Sequence, residues 1–181
     1  MKLHPSRYLA VVLAVSMIAS GCSTGWIQTA ISDAPIVLQI VLSILSIVDV
    51  KAIPAAQSAG SQAQQDLALL QKYLADYKTA QANSPQQSQA LTNIQAALTA
   101  AQTDLNAILA AIHVSNPQKQ QAIAAGLGVA LTVLAAIESL IPKPAVTGVK
   151  ATAPVALLKP AELKRTYNAV ISTQYPGSVL P

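Results

Sequence analysis

Between Ser84 and Val114 the apolar residues Leu91, Ile94, Leu98, Ala101, Leu105, Ile108 and Ile112 recur in alternating steps of three and four. That rhythm draws a narrow seam down one face of a helix built to pack against another helix. Asn83-Ser84-Pro85 opens the helix with a capping hydroxyl and a proline at the first helical position, where no amide donor is needed, and Asn116-Pro117 repeats the punctuation and closes it. A second helix, Gln62 to about Ala82, carries Ala63, Leu67, Leu70, Leu74 and Tyr77 in the same rhythm. The connection between the two is short, which favours antiparallel neighbours, so Gln62 to His113 is expected to form a helical hairpin.

Two more strongly apolar helices flank this hairpin. Thr24 to Ile31 reads as a short helical or linker segment, and Ser32-Asp33-Ala34-Pro35 as a helix start with the Asp33 carboxylate near the positive end of the dipole. That helix is expected to run to about Val50 and to end at Ala52-Ile53-Pro54, with Ala55 to Gly60 as a loop and Ser61 with Gln64 as the capping box of the next helix. After Asn116-Pro117 comes a polar turn, Gln118 to Gln121, then an apolar helix from Ala122 to Ile141 that Pro142 and Pro144 stop. Each apolar helix carries one thin stripe: Ser32, Gln39, Ser43 and Ser46 on the first, Gly128, Thr132, Ala136 and Ser139 on the second. The stretch to Lys159 reads as extended linker, Pro160 to Ile171 as a short amphipathic helix through Leu163, Tyr167, Val170 and Ile171, and Tyr175 to Pro181 as irregular. The expected fold is all-α, with an antiparallel four-helix bundle over 22–141 and a proline-containing linker and short C-terminal helix over 142–181.

Composition agrees with this pattern. Hydrophobic residues make up 52% of the 181 positions and charged residues only 10%, with no Phe, so Ala, Leu, Ile, Val and Gln must build nearly everything, which favours helices. The formal charge of +4 is too weak to argue for nucleic acid. It is unevenly placed, however: from Pro142 onward Lys143, Lys150, Lys159, Lys164 and Arg165 face only Glu162, a basic tail that could meet anionic headgroups or acidic wall polymers.

At the amino end, Lys2 and Arg7 precede an apolar run from Tyr8 to Ile18, followed by Ala19-Ser20-Gly21-Cys22. This is the layout of a secretory leader, too short to span a membrane. The last four residues resemble the lipobox of bacterial lipoproteins. The resemblance implies a signal peptide over 1–21, cleavage between Gly21 and Cys22, and a Cys22 thiol joined to diacylglycerol, its acyl chains of the palmitate class. Ser23 stands where inner-membrane retention is often signalled by an acidic residue, so the resemblance points to the periplasmic face of the outer membrane. Two or three acyl chains anchor a protein stably, at about 0.8 kcal/mol for each buried methylene.

Candidate chemistry is sparse. Once the leader is removed His113 is the only histidine, a poor basis for a zinc site, and its place at the end of the central helix suits the dipole. The carboxylates are not expected to cluster: Asp66 and Asp76 sit off the seam, Lys72 and Asp76 form a solvated pair, and Asp104 stands beside seam residue Leu105. Glu138 lies among apolar neighbours and is expected to reach solvent at the helix end. Gly126-Leu127-Gly128 lacks the strand and acidic partner of a dinucleotide loop and fits close helix packing instead. No catalytic residue, metal or cofactor is expected.

The chain therefore reads as a non-catalytic, lipid-anchored envelope protein with a structural or protein-interaction role, its partner an envelope protein or a second copy of itself. Two other readings stay open: a membrane-active protein inserting helices 34–50 and 122–141, and a carrier holding an apolar ligand in the bundle core.

Overall fold

The computed structural model describes residues 25–48, 53–141 and 159–181. The leader, the lipobox with Cys22, and the linker with Lys143 and Lys150 lie outside them. Five α-helices are described: α1 (Gly25–Ile47), α2 (Pro54–Thr79), α3 (Pro85–Ala111), α4 (Pro117–Leu140) and α5 (Pro160–Ile171), followed by a 3-10 turn at Pro176–Ser178. Strands are absent among the described residues, and the fold is an all-α bundle. The helices α2 and α3 share the most extensive contact, α1 packs on α2 and α4, α4 closes the ring against α3, and α5 lies over α4 and α1.

Each helix owes its place to one seam. Leu67, Leu70 and Leu74 on α2 and Ile94, Leu98, Leu105 and Ile108 on α3 are fully buried, as is Ile112 just past the end of α3, while Leu91 and Tyr77 pack at the margin. On α4, Ile123, Leu127, Ala130, Leu134 and Ile137 keep the same spacing and are likewise buried. One contiguous apolar core joins all five helices. The outward stripes are thin: Gln39 and Ser46 on α1 and Thr132 and Ser139 on α4 face solvent, and Gly128 has open space beside it, although Ala136 is turned inward.

The hairpin turn follows its sequence closely. Asn83 takes a left-handed backbone (φ 59°), a conformation asparagine tolerates better than most residues. Ser84 Oγ accepts from the Gln87 amide at 3.1 Å, and Gln87 Oε1 accepts from the Asn83 amide at 2.8 Å, so two otherwise unpaired donors are satisfied reciprocally.

Several boundaries differ from expectation, each for a visible reason. The first helix begins at Gly25 rather than near Ser32, and Pro35 lies inside it. Proline removes one hydrogen bond and bends a helix, but Trp26, Ile27 and Ala30 bury themselves only if the helix continues through it. Ala55 to Gly60 is helix and not loop: Pro54 supplies the first position of α2, and Ala56, Gly60 and Ala63 extend the seam backward through that segment. Gly60 lets α1 approach closely there, since a Cβ would lie 2.9 Å from Leu45 Cδ2 and the leucine side chain would have to shift. Asn116-Pro117 opens α4 instead of merely closing α3, with Asn116 Oδ1 accepting from the Lys119 amide at 3.0 Å, so Gln118 to Gln121 form the first turn of α4. Gly126 serves close packing, because a Cβ would meet Ile44 Cδ1 at 3.1 Å and Tyr167 Cε2 at 3.2 Å; Gly128 does not.

Candidate functional site: a buried carboxylate on α1

Trp26, Ala30, Asp33, Val37, Ile40 and Ile44 recur along α1 in steps of four and three, and every one of them is buried. Asp33 thus occupies a core position. It is 1% exposed, and neither carboxylate oxygen has a hydrogen-bond partner. A carboxylate is strongly destabilised without water or a donor, so burial pushes the Asp33 pKa from 3.8 up to about 6. The expected dipole role is therefore overturned: the carboxyl sits mid-helix, among apolar side chains, where the first turn's amides are out of reach. The steps of three and four running through Trp26 and Asp33 were the available signal, hidden because Asp before Ala-Pro resembles a cap.

The surroundings are uncharged. Trp26 lies one heptad away on the same face and stacks at a tilt on Tyr77 of α2, ring centroids 5.5 Å apart. The indole is 7% exposed, which fits packing against the bundle, and its Nε1 has no acceptor. The pairing of Trp26 with Tyr77 at one end and of Leu45 with Gly60 at the other fixes an antiparallel register that sets Gln71 level with Asp33. Gln71 Nε2 is buried and equally without a partner.

Two carboxyls come together against expectation. Asp104 on α3 buries its Oδ2 and meets Asp66 of α2 across the hairpin. Burial first, then a hydrogen bond to Asp66 and the nearby like charge, raise the Asp104 pKa. Sequence spacing placed both residues beside the seam, but only the register of two helices shows that they face one another.

The remaining candidates are peripheral. Glu138 is exposed and accepts from Gln102 Nε2 at 3.1 Å, and His113 is exposed just beyond α3. The Lys72–Asp76 pair, 2.6 Å apart, is solvated and contributes little. Among the described residues no group of three or more His, Cys, Asp or Glu side chains is placed to hold a metal ion.

The C-terminal segment is fastened by a polar clasp. Tyr167, fully buried on α5, donates to Ser43 Oγ of α1 at 2.9 Å, and Ser43 Oγ donates to the Ser178 carbonyl at 2.8 Å. Asn168 binds both the carbonyl and the amide of Leu180, at 2.9 and 2.8 Å. Burial raises the Tyr167 pKa, against the lowering effect of the Ser43 hydroxyl.

The raised carboxyl values have a definite consequence for stability. A carboxyl whose pKa is higher folded than unfolded gives its full stability below the unfolded value of 3.8 and loses it as pH rises through about 6. For Asp33 the loss is at most about 3 kcal/mol, and Asp104 acts in the same direction. The urea midpoint is expected to fall between about pH 4 and pH 7, with a shallower fall in Asp33→Asn; a midpoint that rises over that range would contradict the assignment.

No protein-family model, curated protein or solved structure matches the chain.

Proposed function

We propose that the protein is a non-catalytic lipoprotein of the bacterial envelope, held through diacylglycerol on Cys22 at the periplasmic face of the outer membrane, where the bundle acts as a structural or protein-binding element. The observation that carries the reading is the run Ala19-Ser20-Gly21-Cys22 behind a charged and apolar leader. The start of α1 supports it: Gly25 is three residues from Cys22, a chain length of at most about 10 Å, so the end carrying Trp26 and Tyr77 would lie close to an anchored cysteine.

By length and composition α1 and α4 are both apolar enough to cross a membrane, which is weak support for insertion. Against it, their inner faces belong to the common core, polar side chains stand outside, and the large apolar residues exposed among the described ones, Leu42, Leu69 and Val179, are few.

The side chain of Tyr167 on α5 reaches Ser43, about 25 Å along α1 from Trp26, and Lys159 and Arg165 of that helix are exposed. These exposed cations suit an anionic surface, whether headgroups or an acidic wall polymer.

Mass spectrometry of the mature amino terminus tests the anchor. Expected is Cys22 at position one carrying diacylglycerol, with Cys22→Ala leaving a precursor or a differently cut product. An unmodified Cys22, or cleavage elsewhere, would refute the lipoprotein reading.

A further inference from the structure

Asp33 lies two residues before Pro35, and the two act on the same stretch of α1. Proline has no amide to donate to the Ile31 carbonyl, so the ladder is interrupted where Gly25–Ala34 joins the rest of the helix. Ten residues are too few to hold a helix by themselves, so this stretch depends on its docked face: Trp26, Ile27, Ala30, Asp33 and Ala34. The larger part of the α1 seam, Val37, Ile40, Val41 and Ile44, lies beyond the proline and holds the helix in the bundle independently.

We propose that Asp33 is a proton-operated latch: with its carboxyl protonated Gly25–Ala34 lies docked on α2, and ionisation releases that stretch, with Trp26, from Tyr77 while the remainder of the bundle stays folded. The carboxylate has nothing to keep it in place. Of the titratable groups on the packed helices, Asp66 of α2 meets Asp104, Lys72 and Asp76 are exposed and bound to each other, Lys78 is exposed, Tyr73 and Tyr77 pack at the margin of the core, Lys119 of α4 is exposed over the Tyr175 ring, and Glu138 is turned outward to Gln102. On α5, Lys159 and Arg165 are exposed, Glu162 accepts from the Lys159 amide and Lys164 donates to the Pro181 carbonyl. Burial is what acts on the Asp33 proton, and the Gln71 amide, level with it by register, makes no hydrogen bond to the carboxyl. Leaving the core restores water to the charge, and Pro35 confines the movement to one side of the helix. The latch does not depend on lipidation, though it lies on the side of the bundle nearest Cys22.

Trp26 is the sole tryptophan and reports the latch directly. In the purified full chain, acrylamide quenching of its emission is expected to increase several-fold from about pH 4.5 to about pH 7.5, with helix content falling by no more than the ten residues of Gly25–Ala34. Asp33→Asn, and Asp33→Leu as a second variant should the first fold poorly, are expected to keep Trp26 protected at both values, whereas Asp104→Asn should respond like the native chain. Trp26 equally protected at both pH values in the native chain overturns the proposal. So does a rise of the same size in the Asp33 variants, or loss of the whole bundle together with Trp26 exposure.

Discussion

Replacing Leu98 with alanine is expected to lower the free energy of unfolding by about 2 to 5 kcal/mol. Leu98 lies near the middle of α3, is fully buried, and belongs to the core shared by all the helices. Truncation removes three carbons from water-excluded packing and leaves a cavity that rigid neighbouring helices close only in part. Thr103, on the solvent side of the same helix, donates only to the Thr99 carbonyl one turn back, so Thr103→Ala should change stability by less than about 0.5 kcal/mol. Denaturant unfolding of the two variants separates seam from surface. Equal effects would mean that the core does not run along Ile94, Leu98 and Leu105.

Removal of the Tyr167 ring should be of similar size, and it asks whether α5 belongs to the cooperative unit. The ring is buried against α1 and α4 and lies within 3.2 Å of the position a Cβ on Gly126 would take, so there is little slack around it. Tyr167→Ala is expected to cost about 3 to 5 kcal/mol and to make Pro160–Ile171 a ready site for proteolysis. Tyr167→Phe keeps the ring and loses the bond to Ser43, a cost of about 0.5 to 1.5 kcal/mol. Small, equal losses for both variants would show α5 to be an appendage.

The fold was legible because the seams are regular. Leu67, Leu70 and Leu74 against Ile94, Leu98 and Leu105 gave the hairpin, and the interval Pro160 to Ile171 gave α5 to the residue. Helix starts were harder, since proline and Asn or Ser punctuate in several ways. Pro54 and Pro117 begin helices although the small or polar residues after them favour loop and turn, and Pro35 lies within a helix because the apolar contacts on either side outweigh one lost hydrogen bond. The site was less legible than the fold. Asp33 reads locally as a cap and is core only once α1 extends back to Gly25, and Asp66 faces Asp104 only through the register of α2 on α3. Ser43 and Ser178, far apart in sequence, meet through a clasp for which no periodicity exists.

The central claim is that α1 and α4, the two helices apolar enough to be membrane spans, are instead walls of a closed water-facing bundle. With 23 and 24 residues they rise about 35 Å each, enough for about 30 Å of hydrocarbon, so length does not decide; the burial of their inner faces in the common core and of Asp33 within α1 favours the bundle. Sedimentation and carbonate extraction of the chain from Ser23 to Pro181, which lacks the anchoring cysteine, measure the difference most directly. The bundle predicts a protein that stays in the supernatant without detergent, is helical by circular dichroism and unfolds cooperatively; a chain that pellets with membranes and resists carbonate would contradict it.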